Sequence, residues 1–278
     1  MAGKMLPLSR MPSVVAAGIH TVFSDIDDTL TTEGRLTVEA YSALRDLRNH
    51  GLRVVLVTGR PAGWCDHIAR MWPVDAVIGE NGAFYFWYDA AARKLMSRHS
   101  ADERIRRANA TRMAVVRDTI LRDVPGCAVA SDQFCRLYDL AIDFCEDVPA
   151  LAAPAVQQIV QLMQSAGMTA KVSSIHVNGW FGEYDKLSMA HLLMRERWGL
   201  ELQAERERCV FAGDSPNDAP MFAYLPNAVG VANVAQFGLP PGQAPAYVTP
   251  SAAGAGFAEL ASHLIAARPR TGSPVSRP

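Results

Sequence analysis

The sequence predicts an α/β fold: a Rossmann-like parallel sheet flanked by helices, interrupted by an inserted α+β module. Three observations predict it. Short continuous apolar runs at Val22-Phe23, Val54–Val57, Val74–Ile78 and Cys209–Ala212 have the length and residue types of strands covered on both faces. Helical segments separate them at a spacing that calls for right-handed crossovers. From about residue 87 to residue 181 that rhythm stops, and a different pattern of helices and strand-like runs takes over.

The elements follow in order. Residues 1–19 read as a frayed tail, because the apolar patch Val14–Ala17 is short for a signal-peptide core. Val22-Phe23 is a buried strand that runs into an acidic cluster. Thr37–Asn49 is helical, with Ala40, Leu44 and Leu47 on one face and Gly51 available for a left-handed ending. Val54–Val57 is the second strand. Pro61 suits the first turn of the next helix, which stops before Pro73, and Val74–Ile78 is the third strand. These residues, 20–86, form the first part of the core.

The insert, residues 87–181, is expected to contain a charged helix (Ala101–Arg122), strands at Cys127–Ala130 and Leu137–Phe144, a second helix (Pro154–Ala166) and a strand at Thr169–Val177. Residues 182–266 return to the core pattern. They hold a helix from Lys186 to Trp198, strand Cys209–Ala212, a short helix near Ala219, strands Ala228–Val231 and Tyr247-Val248, and a last helix from Gly256 to Ala266. Residues 267–278, rich in Pro, Ser and Arg, are expected to be disordered.

Composition excludes several function classes. A net charge of −1 gives no basic surface for nucleic acid or an anionic membrane. No apolar run approaches the ~18 residues of a membrane span. Five cysteines without a C-x-x-C pair argue against a disulfide framework or a zinc site and for a cytoplasmic protein. The expected partner is a small molecule; the sequence carries no expectation of oligomeric state.

Chemistry concentrates in four places. The first is Asp25-Ile26-Asp27-Asp28-Thr29, directly after a buried strand. Carboxylates disfavour strands and repel one another, yet three sit at the strand end where open α/β sheets bind ligands. A hard divalent cation with oxygen ligands, such as magnesium, resolves the repulsion. The alternative is a set of turn-forming aspartates. The second is Gly213-Asp214-Ser215-Pro216-Asn217-Asp218, after another buried strand. The third is Thr58-Gly59-Arg60-Pro61, where a hydroxyl and free N–H groups precede a helix and suit an anion; a plain helix cap explains the same residues. The fourth is Lys186, a cation early in a helix, where an anionic partner would offset the helix dipole.

Taken in order, these four motifs resemble those of the haloacid dehalogenase (HAD) superfamily. The insert after the third strand is similar to the type-II cap of the group that includes Cof-like sugar phosphatases, sucrose- and trehalose-phosphate phosphatases and phosphomannomutase. Glu80-Asn81-Gly82-Ala83 resembles that group's lead into the cap. The resemblance implies a phosphatase acting on a sugar phosphate or small phosphorylated metabolite. It implies that Asp25 attacks phosphorus to give an aspartyl-phosphate and that Asp27 serves as acid and then base. It implies that magnesium is held by Asp25, the Asp27 carbonyl and Asp214, with Asp218 in the network. Thr58 and Lys186 would bind phosphoryl oxygens, and Gly59, Arg60, Asn81 and Asn217 would complete the substrate site. His176 fits an outward polar strand residue, with a substrate contact as the alternative; Trp180 and Phe181 fit a hydrophobic hinge, with a substrate-facing place as the alternative. Three alternatives stay open: a phosphomutase on the same core, a receiver-like signalling module, and a catalytically idle binding protein.

Overall fold

A computed structural model describes residues 5–173, 175–236 and 238–268. A nine-stranded sheet forms the core. In spatial order its strands are Leu6–Pro7, Tyr247–Val248, Val229–Gly230, Cys209–Gly213, Thr21–Ser24, Arg53–Val57, Ala76–Gly79, Phe84–Asp89 and Lys94–His99. All neighbours pair in parallel except the Phe84–Asp89 and Lys94–His99 hairpin, which closes one edge antiparallel.

Alternation along the strands divides the core into two layers. Val22, Val54, Leu56, Val210 and Ala212 face the helices Val38–Asn49 and Ala253–Ala266. Phe23, Val55, Val57 and Phe211 face the helix Lys186–Trp198. The helix Val38–Asn49 starts where the Thr37 hydroxyl accepts the Ala40 N–H, and it buries Ala40, Ala43, Leu44 and Leu47. Thr21–Ser24 lies between Cys209–Gly213 and Arg53–Val57, so the strand order reverses at that point. Phe23 opposes Phe211 and Ser24 opposes Ala212. Both acidic motifs therefore emerge side by side at the same end of the sheet, in the crevice such a reversal creates.

The inserted module has its own four-stranded antiparallel sheet, ordered Thr169–Val172, His176–Trp180, Asp139–Asp143 and Ala128–Val129. Leu140, Ile142 and Val177 on one face join Ile120, Ile159 and Met163 from the helices Glu103–Asp123 and Ala153–Ser165 in a separate apolar core. Asp139, Asp143, His176 and Asn178 alternate to the other face.

Four expectations change. The frayed tail is not observed for residues 5–19: Leu6–Pro7 adds a strand to the sheet edge, and Leu8, Met11, Ala16 and Ile19 are buried. Their apolar spacing suits a short helix, Ser13–Gly18, laid on the core. Residues 87–99, assigned to the insert, instead belong to the edge hairpin of the core sheet. The aromatic run Phe84-Tyr85-Phe86-Trp87 is a strand signal that continues the core past the expected break. The expected strand Thr169–Val177 is two strands that pair with each other. His176 is buried rather than outward. The expected disorder of 267–278 falls, from residue 269 onward, outside the described residues. Among the described residues, no helix is long and apolar enough to cross a membrane.

Candidate active site

The end of the Thr21–Ser24 strand fixes Asp25, whose N–H donates to the Ala212 carbonyl of the neighbouring strand at 2.9 Å. Its side chain is buried and accepts the Lys186 ammonium at 2.9 Å. The same ammonium donates to Asp218 Oδ1 at 2.7 Å. Lys186 reaches this point because Asp185 caps its helix, accepting the Ser188 N–H at 2.7 Å. Burial opposes the lysine's charge, but Asp218 and Asp25 together hold it protonated above the ordinary lysine range.

Asp218 is fully buried, and its other oxygen accepts the N–H groups of Asp214 and Ser215 at 3.1 and 3.3 Å. The pair thereby stiffens the turn that presents Asp214. Gly213 is required here, since a Cβ would lie 2.5 Å from the Asp218 carboxylate. Asp214 Oδ1 accepts the Thr29 hydroxyl at 3.1 Å, and Oδ2 accepts the Asn233 amide at 3.0 Å. Asn233 also donates to the Asp28 carbonyl at 2.9 Å and accepts the Ala253 N–H at 3.0 Å. Neither Thr29 nor Asn233 was singled out for the site from sequence. Thr29 lies inside the first motif; Asn233 lies in a short 3-10 helix, Ala232–Gln236, with no local signal.

Carboxylate oxygens of Asp25, Asp214 and Asp218 lie within 4.8 Å of one another. Asp27 and Asp28 stand on the same loop, and Asp28 has a left-handed backbone, φ 54°. Lys186 and Arg60 pair with this group of acids. Burial, followed by Asp218, pushes the Asp214 carboxyl up to about 7, and burial raises Asp25 despite Lys186. Hard oxygen donors with an excess of negative charge fit a divalent cation such as magnesium.

Arg60 is engaged with Asp27. Its Nε donates to the two Asp27 oxygens at 2.9 and 3.1 Å, and its guanidinium stacks over Trp64 at 4.5 Å. Thr58 is fully buried; its hydroxyl accepts the Arg60 N–H at 3.0 Å, so it also caps its own turn. Residues 80–82 dock on this loop. Glu80, Asn81 and Gly82 all have left-handed backbones, with φ 43°, 57° and 107°. The N–H of Glu80 donates to the Arg60 carbonyl at 3.1 Å, and that of Asn81 to the Thr58 carbonyl at 3.0 Å.

The insert is fastened to the core beside this loop. The buried Glu80 carboxylate accepts N–H groups from Ala62 at 2.9 Å, Leu137 at 2.9 Å, Tyr138 at 2.6 Å and Asp139 at 3.2 Å. From the other side, Arg136 donates to the Gly59 carbonyl at 3.2 Å while paired with Asp132 and Asp139.

Between core and insert lies a cavity of about 370 Å³. Asp25, Asp27, Asp214, Gly59, Arg60, Asn81 and Asn217 line its core side. Lys171, His176, Asn178 and Arg136 line the insert side. His176 contacts Glu146 at 2.8 Å. Trp180 and Phe181 are buried at the return to the core, and Trp180 stacks on Tyr184.

Residues 22–108 match the sequence model of the haloacid dehalogenase-like hydrolases. A phosphoglycolate phosphatase of Pyrobaculum islandicum is 35% identical over 122 residues, covering 42% of this chain and 46% of that protein. The chain therefore aligns with less than half the length of this curated relative. A crystal structure from Thermoplasma acidophilum superposes with TM-score 0.68 at 18% identity, covering 88% of this chain and 98% of that one. The sucrose-phosphatase of Synechocystis, solved with sucrose and phosphate, gives TM-score 0.56 at 16% identity over 88% of this chain and 97% of that one. The match across the first acidic motif and the fold agree: the chain has the architecture of a haloacid dehalogenase-like hydrolase with an inserted α+β cap.

Proposed function

We propose that this protein is a magnesium-dependent phosphatase that hydrolyses a phosphate monoester, a sugar phosphate or another small phosphorylated metabolite, through an aspartyl-phosphate. The observation that carries the reading is Asp25. Its carboxylate stands at the sheet's ligand-binding end, 2.9 Å from a buried lysine and next to Asp214 and Asp218. The names of the relatives, which range from phosphoglycolate to sucrose phosphate, support the substrate class.

Asp25 would attack phosphorus while Lys186 draws charge from the phosphoryl oxygens. Asp27, facing the cavity and held by Arg60, would protonate the departing alkoxide and later take a proton from the attacking water. Thr58 and Gly59 would hold phosphoryl oxygens at the start of the following helix, and Asn81 and Asn217 would contact the substrate from the cavity wall. Asp25 and Asp214, with the Asp27 carbonyl and with Asp218 in support, would hold the magnesium, which supplies the positive charge that lets an anionic nucleophile meet a phosphate dianion. The insert forms the wall of the cavity opposite the acidic motifs. Five cysteines without a C-x-x-C pair accord with a cytoplasmic setting.

The test is Asp25→Asn, which keeps the side-chain shape and removes the nucleophile. Magnesium-dependent turnover of p-nitrophenyl phosphate should vanish while circular dichroism is unchanged. Retained turnover would sink the mechanism.

A further inference from the structure

We propose that Arg136 of the insert is a positioning residue for the phosphate site: by holding the Gly59 carbonyl it fixes the loop whose N–H and hydroxyl groups take the phosphoryl oxygens. This rests on the phosphatase reading above and deepens it.

The carbonyls of residues 58, 59 and 60 are all taken. Thr58 accepts the Asn81 N–H at 3.0 Å and Arg60 accepts the Glu80 N–H at 3.1 Å, both from the core. The Gly59 carbonyl is the one satisfied by the insert, through Arg136 Nη1 at 3.2 Å. In a trans peptide the N–H points opposite to the C=O. With the Thr58 carbonyl fixed by Asn81, the Gly59 N–H is turned the other way, and among the described residues it has no acceptor. With the Gly59 carbonyl fixed by Arg136, the Arg60 N–H is turned to the Thr58 hydroxyl oxygen at 3.0 Å. That oxygen accepts, so its own proton is left to donate. Arg136 therefore orients, through one peptide group, a hydroxyl donor of the anion site.

Burial and charge make this an effect of geometry rather than of attraction. The Arg136 side chain is 1% exposed, and two carboxylates, Asp132 and Asp139, flank its one guanidinium. Nε and Nη2 donate to Asp132 at 2.9 and 3.0 Å, and Nη1 divides between Asp139 and Gly59. A guanidinium outweighed by two acids offers a phosphate no net positive charge. Its reach is set on both sides. The next two residues, Leu137 and Tyr138, donate their N–H groups to Glu80. Just before it, Cys135 packs on the helix Ala62–Met71, where a Cβ on Gly63 would lie 2.7 Å from the Cys135 Cβ. An insert displaced from this seat would leave the Gly59 carbonyl, and the peptide behind it, unheld.

Arg136→Met alone leaves Asp139 buried without its cation, so the test uses Arg136→Met with Asp139→Asn, which removes both charges. Inorganic phosphate is titrated calorimetrically into the protein with magnesium, and kcat/KM is measured on p-nitrophenyl phosphate and 2-hydroxyethyl phosphate. Phosphate should bind about tenfold more weakly, the scale of one hydrogen bond to a charged group, and kcat/KM should fall by a common factor on both esters. Arg136→Lys keeps the buried charge but lacks the fork that reaches both acids and Gly59 at once, and should weaken phosphate in the same way; it serves where the double variant does not fold. Met163→Ala, which opens the separate apolar core of the insert, is the structural control: it should lower the melting temperature and leave phosphate affinity within about twofold of native. Unchanged phosphate affinity in the folded Arg136 variants overturns the inference. So does a loss confined to one ester, which would mean that Arg136 touches the leaving group, or an equal weakening in Met163→Ala, which would leave Arg136 a fastener only. If the native protein neither binds phosphate nor hydrolyses either ester, the phosphatase reading itself falls, and the inference with it.

Discussion

Gly82→Ala tests how the lead into the insert supports Lys186, the lysine proposed to act on the phosphoryl group. Gly82 has φ 107°, a region that costs an L-residue about 1–3 kcal/mol. An added Cβ would also sit 2.0 Å from the Asp185 carbonyl oxygen and 2.9 Å from the Lys186 N–H nitrogen. Ordinary contact needs about 3.5 Å, so the backbone at Asp185 must retreat by more than about 1 Å. Overpacking of this kind adds about 1–3 kcal/mol, for a total of about 2–6 kcal/mol. Retreat of Asp185 carries Lys186 away from Asp25 and Asp218, which it now meets at 2.9 and 2.7 Å. A misplacement of about 1 Å costs about 100-fold in rate. The assay is magnesium-dependent turnover of p-nitrophenyl phosphate beside thermal melting. Gly199→Ala is the control: it ends the same helix at φ 65° with open space around it, so it should lower stability by about 1 kcal/mol and leave turnover intact. Turnover of Gly82→Ala within about threefold of native would refute the reasoning.

Further expectations concern the supporting groups. Asn233→Ala removes the amide that bonds Asp214 and the Asp28 carbonyl, and should raise the magnesium concentration for half-maximal activity about 10–100-fold, read by titration. Arg136→Met leaves Asp139 buried without its cation and should cost about 3–5 kcal/mol in denaturant unfolding; a loss under about 1 kcal/mol would contradict the pairing. Glu80 gives a pH prediction. Burial, then Asp139, hold its carboxyl up at about 8 despite the N–H groups and Arg136 that favour its ionised form. The folded chain then keeps a proton that the unfolded chain loses near pH ~4.5, so stability falls as pH rises from about 4.5 to about 8. The stability difference between native and Glu80→Gln should be most in favour of native in acid and shrink toward pH 8; a pH-independent difference would refute the assignment.

What was legible in the sequence divides along a physical line. Asp25 and Asp214 could be found because each follows a buried strand, and buried parallel strands are written as continuous apolar runs that need no partner information. Lys186 was placed by its position between the insert and the second acidic motif, as the resemblance implies, and not by a signal of its own. Asn233 could not be found, because its role comes from a short 3-10 helix brought to Asp214 and Asp28 by the fold, and an isolated Asn in so short an element has no pattern. The N-terminal strand was missed for a related reason: two residues are too short for periodicity, and pairing with Tyr247–Val248 is a long-range event. The insert boundary moved because Phe84–Asp89 reads as strand whichever sheet it joins; only the register with Ala76–Gly79 assigns it to the core. Arg60 shows the deeper limit. It lines the cavity, as a substrate contact would, and its guanidinium is also paired with Asp27, a partner the sequence did not indicate. The residue types of a charged site can therefore be read from sequence, whereas the pairing within it is settled by which acid the backbone brings within reach.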